Sequence, residues 1–475
     1  MFIDGEFVSA VSGATFDAIS PIDQRVLANV AAGDSHDVDK AVTAAKRTFE
    51  NGVWRDLNPR DKKAIMLKWA DLIREHYEEI ALLETLEVGK PIGDTSGYDA
   101  LAVARVIQWY GEAIDKRYDE IAPAPTNSLA MITREPLGVI GAVVPWNYPI
   151  VIASWKIGPA LAMGNSMVLK PSEESSLAIL RIAQLGIEAG LPNGVFNVVT
   201  GLGDQAGQAL ARHMNVSKIA FTGSGPVGKK MLQYAAESNL KQVALELGGK
   251  SPQVVLDDVV DLDKAASTIA WGIYYNSGQT CNAGSRVIVH ESIKEALTAK
   301  LAEFVGNFKV GDPLDPMTQM GPVVSLKQRD RVNSYLELVG ASGEKFLYGG
   351  KKPTGNDCYF EPTLIDGAKH NSRLVQEEIF GPVIVFETFK TDAEALALAN
   401  GTNYGLAASV WSGNISRAHN FARKLRAGTV WINTFDMSDV ITPFGGFNGS
   451  GSGRDKSLHA LDGYSALKTT WLDLS

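Results

Sequence analysis

Three short stretches of this chain carry residues that could do covalent chemistry. Ser277–Arg286, "SGQTCNAGSR", holds Cys281, one of two cysteines in 475 residues, among small and polar neighbours. Most free cysteines are buried as small hydrophobes, and this setting does not read as core. As a thiolate, Cys281 would be a nucleophile; taken alone, the stretch fits an inert thiol better. Gly278 and Gly284 on either side would permit close approach of a ligand. Leu245–Pro252, "LELGGKSP", sets Glu246 between apolar residues just ahead of two glycines. A partly buried carboxyl titrates high, which suits a general base near neutral pH; the alternative is a strand-end carboxylate capping nearby amides. Pro145–Pro149, "PWNYP", fixes Asn147 between two prolines. A rigid side-chain amide can donate to a developing oxyanion, though Asn is also a common turn former. The second cysteine, Cys358 in "GNDCYFEP", reads as a surface or edge position without a role.

Three further stretches suggest a nucleotide. Gly223–Gly228, "GSGPVG", has the G-x-G-x-x-G spacing after a strand and at the start of a helix. Glycines there admit a phosphate to the backbone, and the helix N-terminus favours an anion; the alternative is a tight strand-to-helix turn without a ligand. No acidic residue clearly ends the next strand in the ordinary dinucleotide pattern; Glu246 has nearly the right spacing, but its surroundings point elsewhere. Val168–Ser175, "VLKPSEES", places Lys170 and Glu173 at a strand's carboxyl end, where a ribose could be held, or where two charges are simply solvated. Gln376–Val383, "QEEIFGPV", offers paired carboxylates and Phe380 beside a Gly-Pro turn, or a plain strand entry.

The elements that must position these residues are legible from periodicity. The first ~130 residues read as mostly helical. Asn58-Pro59 caps one helix, with Ile65, Leu72, Ile73, Ile80 and Leu83 at helical spacing up to Gly89, and a second amphipathic stretch covers Ala100–Ile114. From Gly138 short apolar strands alternate with helices: Val139–Pro145, Ser166–Ser172, Val195–Gly201, Lys218–Ser224 and Gln242–Gly249. That alternation predicts parallel βαβ units in a doubly wound sheet. It resumes after Gly249 as a second α/β unit, with helices over Ser292–Phe308 and Ser325–Val339, and the chain ends in a terminal strand.

Composition narrows the class. Hydrophobic content of 45% with 21% charged residues is that of a soluble multidomain protein. A net charge of −9 without a basic cluster argues against nucleic acid or an anionic membrane as partner. The N-terminus does not read as a secretory signal, and no apolar run reaches the ~18 residues of a membrane span. Two cysteines and seven histidines without ligand spacing argue against a metal site, and the expected compartment is the cytoplasm.

Taken in order, "PWNYP", "LKPSEES", "FTGSGPVG", "LELGGKSP", "GQTCNAGSR", "EEIFGPV", "WINT" and "PFGGFNGSGSGR" resemble the NAD(P)-dependent aldehyde dehydrogenase superfamily over essentially the whole chain. The tail Ser450–Leu461, "SGSGRDKSLHAL", is similar to the branch of γ-glutamyl-γ-aminobutyraldehyde and related aminoaldehyde dehydrogenases. The fold implied is α/β: an NAD-binding domain (1–116 and 137–248), a catalytic domain (249–449), both doubly wound, and a small β oligomerisation extension (117–136 and 450–475). The resemblance assigns Cys281 as nucleophile, Glu246 as base, and Asn147 with the Cys281 amide as oxyanion donors. It places Trp146, Lys170, Glu173, Gly223, Ser224, Leu247, Glu378 and Phe380 at the cofactor. NAD is implied, with NADP as the alternative, because the Glu173 carboxylate would repel a 2′-phosphate. Tyr148, Ile152, Trp155 and Asn282 would line the substrate tunnel; Asp436 and Asp439 would lie along it or be solvated loop carboxylates. The implied reaction is oxidation of an aldehyde, an aminoaldehyde of polyamine catabolism by the finer match, through a thioester on Cys281 and without a metal. Broad-specificity, semialdehyde and CoA-acylating dehydrogenases are the alternatives. The implied assembly is a homodimer or homotetramer. Two departures stand out. Gly225-Pro226 replaces a frequent Thr-Glu, and Ala466 stands where many members carry a second glutamate considered as an alternative base or proton relay, which would put more weight on Glu246.

Overall fold

The computed structural model describes residues 1–355 and 357–475. Two seven-stranded sheets dominate it. In the first, Gln242–Glu246, Lys218–Thr222, Val139–Val143, Ser166–Lys170 and Phe196–Val198 run parallel in that order across the sheet. The central strands are buried along their whole length, as parallel strands covered by helices on both faces must be. Their alternate residues feed two cores: Ile140, Ala142, Met167 and Leu169 face one, Val139, Val143, Val168 and Ile219 the other.

The N-terminal segment departs from the helical expectation. Phe2–Ile3 and Glu6–Phe7 form a hairpin that adds antiparallel edge strands to the first sheet, and Thr15–Ile19 pairs with Val26–Ala31. Asp4 (φ +54°) and Gly5 (φ +85°) make the hairpin turn, a signal too short for a periodicity window. The helices follow: Ser35–Glu50, Pro59–Glu75, Tyr77–Val88 and Ala100–Ala113 among them. Asn58 caps the second by accepting from the Arg60 amide at 2.9 Å, with Pro59 in its first turn. The helical stretch running up to Gly89 is divided at His76, and Gly89 ends it in the left-handed region.

The second sheet orders Lys345–Tyr348, Thr363–Asp366, Val383–Phe389, Arg286–His290, Pro252–Val255, Ala407–Trp411 and Thr429–Ile432, parallel except for the first. The terminal strand Ser465–Asp473 pairs antiparallel with Ser128–Pro136, which also pairs with Glu120–Ala122. Ala466 lies in that small sheet, exposed, opposite Glu135. Cys358, expected at the surface, is buried among Val323, Tyr335 and Phe360: the residues around it fold back onto a helix and shield it. Among the described residues no helix is long and apolar enough to cross a membrane.

Candidate active site

The first sheet delivers its reactive side chains at one edge, where the parallel strands end. Lys170 and Glu246 are the last residues of their strands, and Asn147 and Gly223 follow just beyond theirs. The second sheet supplies Cys281, in the turn after helix Leu262–Tyr274. That turn is held by consecutive left-handed residues, Asn276 (φ +48°), Ser277 (φ +55°) and Gly278 (φ +73°).

Gly278 and Gly284 are glycines for a different reason from the one expected. A Cβ on Gly278 would come within 2.1 Å of the Gly381 carbonyl oxygen, and one on Gly284 within 2.2 Å of the Gln253 side chain. The space they leave is filled by protein, so they set the height of the Cys281 turn instead of admitting a ligand.

Two cavities meet at Cys281, and only it and Ile152 line both. One, of about 450 Å³, is bordered by Trp146, Asn147, Glu173, Gly223, Ser224, Glu246, Leu247, Glu378 and Phe380. Lys170 reaches Glu173 at 3.2 Å; burial lowers its affinity for a proton, and Glu173 opposes that shift. The Thr222 hydroxyl faces no hydrogen-bond partner among the described residues. Glu378 accepts from the Gly249 amide at 3.1 Å, and burial raises its pKa to about 7. Phe380 (φ +64°) stands edge-on to Trp146, with ring centroids 5.3 Å apart. The G-x-G-x-x-G turn opens helix Gly225–Ala236, whose Gly228 lets the helix close on Leu247, 2.7 Å from where a Cβ would stand. A cation–carboxylate pair, an unsatisfied hydroxyl, a helix N-terminus and an aromatic pair along one cleft fit a dinucleotide.

The glycines after Glu246 are as constrained as those around Cys281. A Cβ on Gly248 would sit 2.2 Å from the Glu378 carboxylate, so Gly248→Ala should displace Glu378. The expected result is a KM for the dinucleotide raised about tenfold or more with the KM for the second substrate little changed; unchanged dinucleotide saturation would remove Glu378 from that site.

The other cavity, about 590 Å³, is lined by Tyr148, Trp155, Trp271, Tyr275, Phe435 and Phe444, with Asp94 and Asp436 as its carboxylates and Thr268, Thr280, Asn282 and Ser438 among its other polar groups. Tyr148 shares a hydrogen bond of 2.8 Å with Thr280 and lies under Lys90, 3.9 Å from its ring. Lys90 is in turn fixed by the buried carboxylates Glu84 and Asp99. Asn282 donates to Asp436 at 2.7 Å. Asp439 is exposed, does not line the cavity, and accepts from the Ile441 amide in its own loop.

The Asn147 side chain donates to the Gln279 carbonyl at 2.9 Å, and its backbone carbonyl accepts from the Asn276 side chain at 2.9 Å, so the residue is pinned to the Cys281 turn. Glu246 is 3% exposed, and neither carboxylate oxygen has a hydrogen-bond partner among the described residues. Burial raises its pKa well above the usual range; Asp455 adds to the shift, while Lys156 and Arg454 oppose it. Burial also pushes the Cys281 thiol up, reinforced by Glu378, Glu246 and Asp436. The resting residue is therefore a thiol that must lose its proton before it attacks.

Lys156 and Asp455 were not recognised from sequence. They form a buried ion pair beside Glu246. A lone lysine in the otherwise apolar helix Pro149–Ala162 was the available signal. A carboxylate close enough to act on Glu246 thus comes from Asp455, whereas position 466 lies in the small third sheet. The glycine-rich run before Asp455 is explained by packing: Gly451 (φ +113°) lies on the end of strand Gln242–Glu246, where a Cβ would be 2.1 Å from the Leu245 carbonyl oxygen.

The profile of the aldehyde dehydrogenase family matches residues 7–470. The chain is 48% identical over 474 residues to the NADP/NAD-dependent aldehyde dehydrogenase PuuC of Escherichia coli, covering 100% of this chain and 95% of that protein. An indole-3-acetaldehyde dehydrogenase crystallised with NAD+ superposes with a TM-score of 0.98 at 50% identity, covering 100% of this chain and 96% of that one. The γ-glutamyl-γ-aminobutyraldehyde dehydrogenase of Burkholderia cenocepacia does so with a TM-score of 0.97 at 52% identity and the same coverage. The chain belongs to the aldehyde dehydrogenase family and is an NAD(P)-dependent aldehyde dehydrogenase.

Proposed function

We propose that this enzyme oxidises an aminoaldehyde, such as γ-glutamyl-γ-aminobutyraldehyde, to the carboxylic acid through a thioester on Cys281. The observation that carries the reading is the position of Cys281 as the shared wall of a polar cleft and an aromatic cavity. The aldehyde enters past Tyr148, Trp155 and Phe444. Cys281, once its thiol proton has passed to solvent, attacks the carbonyl carbon to give a thiohemiacetal. Asn147 and the Cys281 amide donate to the oxyanion, where one donor is typically worth ~10²–10³ in rate. Lys170, Glu173, Glu378 and Phe380, with Trp146, Gly223, Ser224 and Leu247, would hold NAD(P), which would supply the acceptor for the hydride lost as the thiohemiacetal becomes the thioester. Glu246 then activates water against the thioester, and the acid leaves. Buried and without a hydrogen-bond partner among the described residues, Glu246 is equipped for hydrolysis, a step that transfer to CoA would not need.

The amino substrate is supported by Asp94 and Asp436, the two carboxylates among the side chains lining the cavity. Burial, with Asp99 nearby, raises the pKa of Asp94 to about 7 against the pull of Lys90. Asp436→Asn should raise the KM for 4-aminobutanal about tenfold, the equivalent of one charged contact, and leave that for butanal unchanged. Equal losses for both would remove Asp436 from amine recognition. We also propose assembly through the third sheet, whose Ile121, Leu467 and Trp471 are largely exposed.

A further inference from the structure

Asp455 is followed by two residues in the left-handed region, Lys456 (φ +61°) and Ser457 (φ +53°). Neither is glycine, so the backbone there is held by its contacts. Phe444 and Asp455 exchange two backbone hydrogen bonds of 2.8 Å, and the Ser457 amide donates to the Val440 carbonyl at 2.7 Å. These bonds dock the strap beside Glu246 onto the loop Phe435–Phe444, which walls the aromatic cavity.

The side chain of Lys456 does something those bonds do not require. It is 3% exposed, donates to the Ser438 hydroxyl, and stands 5.2 Å from the Trp155 ring and 5.4 Å from the Phe444 ring. Ser438, Trp155 and Phe444 all line the cavity, and Lys456 does not. The ammonium is therefore a fixed cation within the wall, in the fields of Asp436, Asp439 and Asp455. An ammonium already engaged with an aromatic ring draws on the same quadrupole that would attract a second cation, and it repels that cation directly. A primary ammonium can still hydrogen-bond to Asp94 or Asp436. A quaternary ammonium has no N–H and depends on the ring faces.

We propose that Lys456 is a specificity-determining positioning residue that holds this wall through Ser438 and denies its aromatic faces to quaternary-ammonium aldehydes. The inference rests on reading the cavity as the aldehyde channel. The test compares kcat/KM for betaine aldehyde and for butanal in the wild type, Lys456→Met, Lys456→Arg and Trp155→Ala. Lys456→Met should raise the betaine aldehyde to butanal ratio roughly fivefold or more, mainly through KM for betaine aldehyde, and Lys456→Arg should restore the wild-type ratio. A ratio that is unchanged or lowered in Lys456→Met overturns the proposal, as does a parallel loss for both aldehydes, which a merely structural lysine would give. Ser438→Ala, which keeps the lysine, provides a second variant should Lys456→Met fold poorly; its ratio should rise in the same direction, and a fall would count against the proposal. Trp155→Ala with KM unchanged for both aldehydes would instead refute the channel reading.

Discussion

Cys281→Ala should lower aldehyde-dependent NADH formation by at least about 10⁴-fold with every aldehyde tested, because it removes the only atom in the site able to form the thioester. The loss should be confined to chemistry. Cys281 contributes only part of the wall of the cofactor cleft, and Lys170, Glu173, Glu378 and Phe380 are placed by other elements. Binding of NAD, followed by quenching of tryptophan fluorescence, should stay within about twofold of wild type. The glycines that set the turn are unaffected, since Gly278 and Gly284 pack against Gly381 and Gln253. Substantial residual activity in this variant would show that the aldehyde is oxidised without a covalent intermediate.

Glu246→Gln should separate the two halves of the reaction. The first turnover should persist as a burst of NADH approaching one equivalent per active site, because attack and hydride loss precede the hydrolytic step. The steady state should fall by about 10²–10⁴-fold, the usual contribution of a positioned general base. The pH profile carries the same assignment. Glu246 acts as a base only when ionised, and burial together with the Asp455 charge raises its pKa. Wild-type turnover should therefore decline as pH falls through that raised value. Asp455→Asn removes the repelling charge and leaves Lys156 facing Glu246, so the decline should move to lower pH. A shift to higher pH, or none, would mean that the titrating group is not Glu246. An undiminished steady state in Glu246→Gln would mean that another group activates the water.

Much of this architecture is legible in the chain because the features that create it are local. Five parallel strands of the first sheet announce themselves as apolar runs separated by helices, and Glu246 and Asn147 sit where two of those runs stop. What periodicity did not reveal depends on contacts distant in sequence. The N-terminal hairpin is two residues per strand, and its pairing with Phe196–Val198 is non-local. Cys358 reads as peripheral, yet it is buried in a cluster with Val323, Tyr335 and Phe360. Lys156 and Asp455 lie far apart in the chain and become a pair only when helix Pro149–Ala162 meets the glycine-rich strap. The flanking glycines of Cys281 were attributed to a ligand because the sequence does not show that Gly381 and Gln253 occupy that space.

The most direct measurement is the mass of the trapped enzyme. Glu246→Gln mixed with NAD and excess aldehyde, quenched in acid within the burst, should gain the mass of one acyl group. Proteolysis should place that acyl group on the peptide containing Cys281, and hydroxylamine should remove it, as it removes a thioester. The same experiment with Cys281→Ala should show no adduct. An unmodified Glu246→Gln enzyme after a full burst, or an acyl group on any other residue, would contradict covalent catalysis by Cys281.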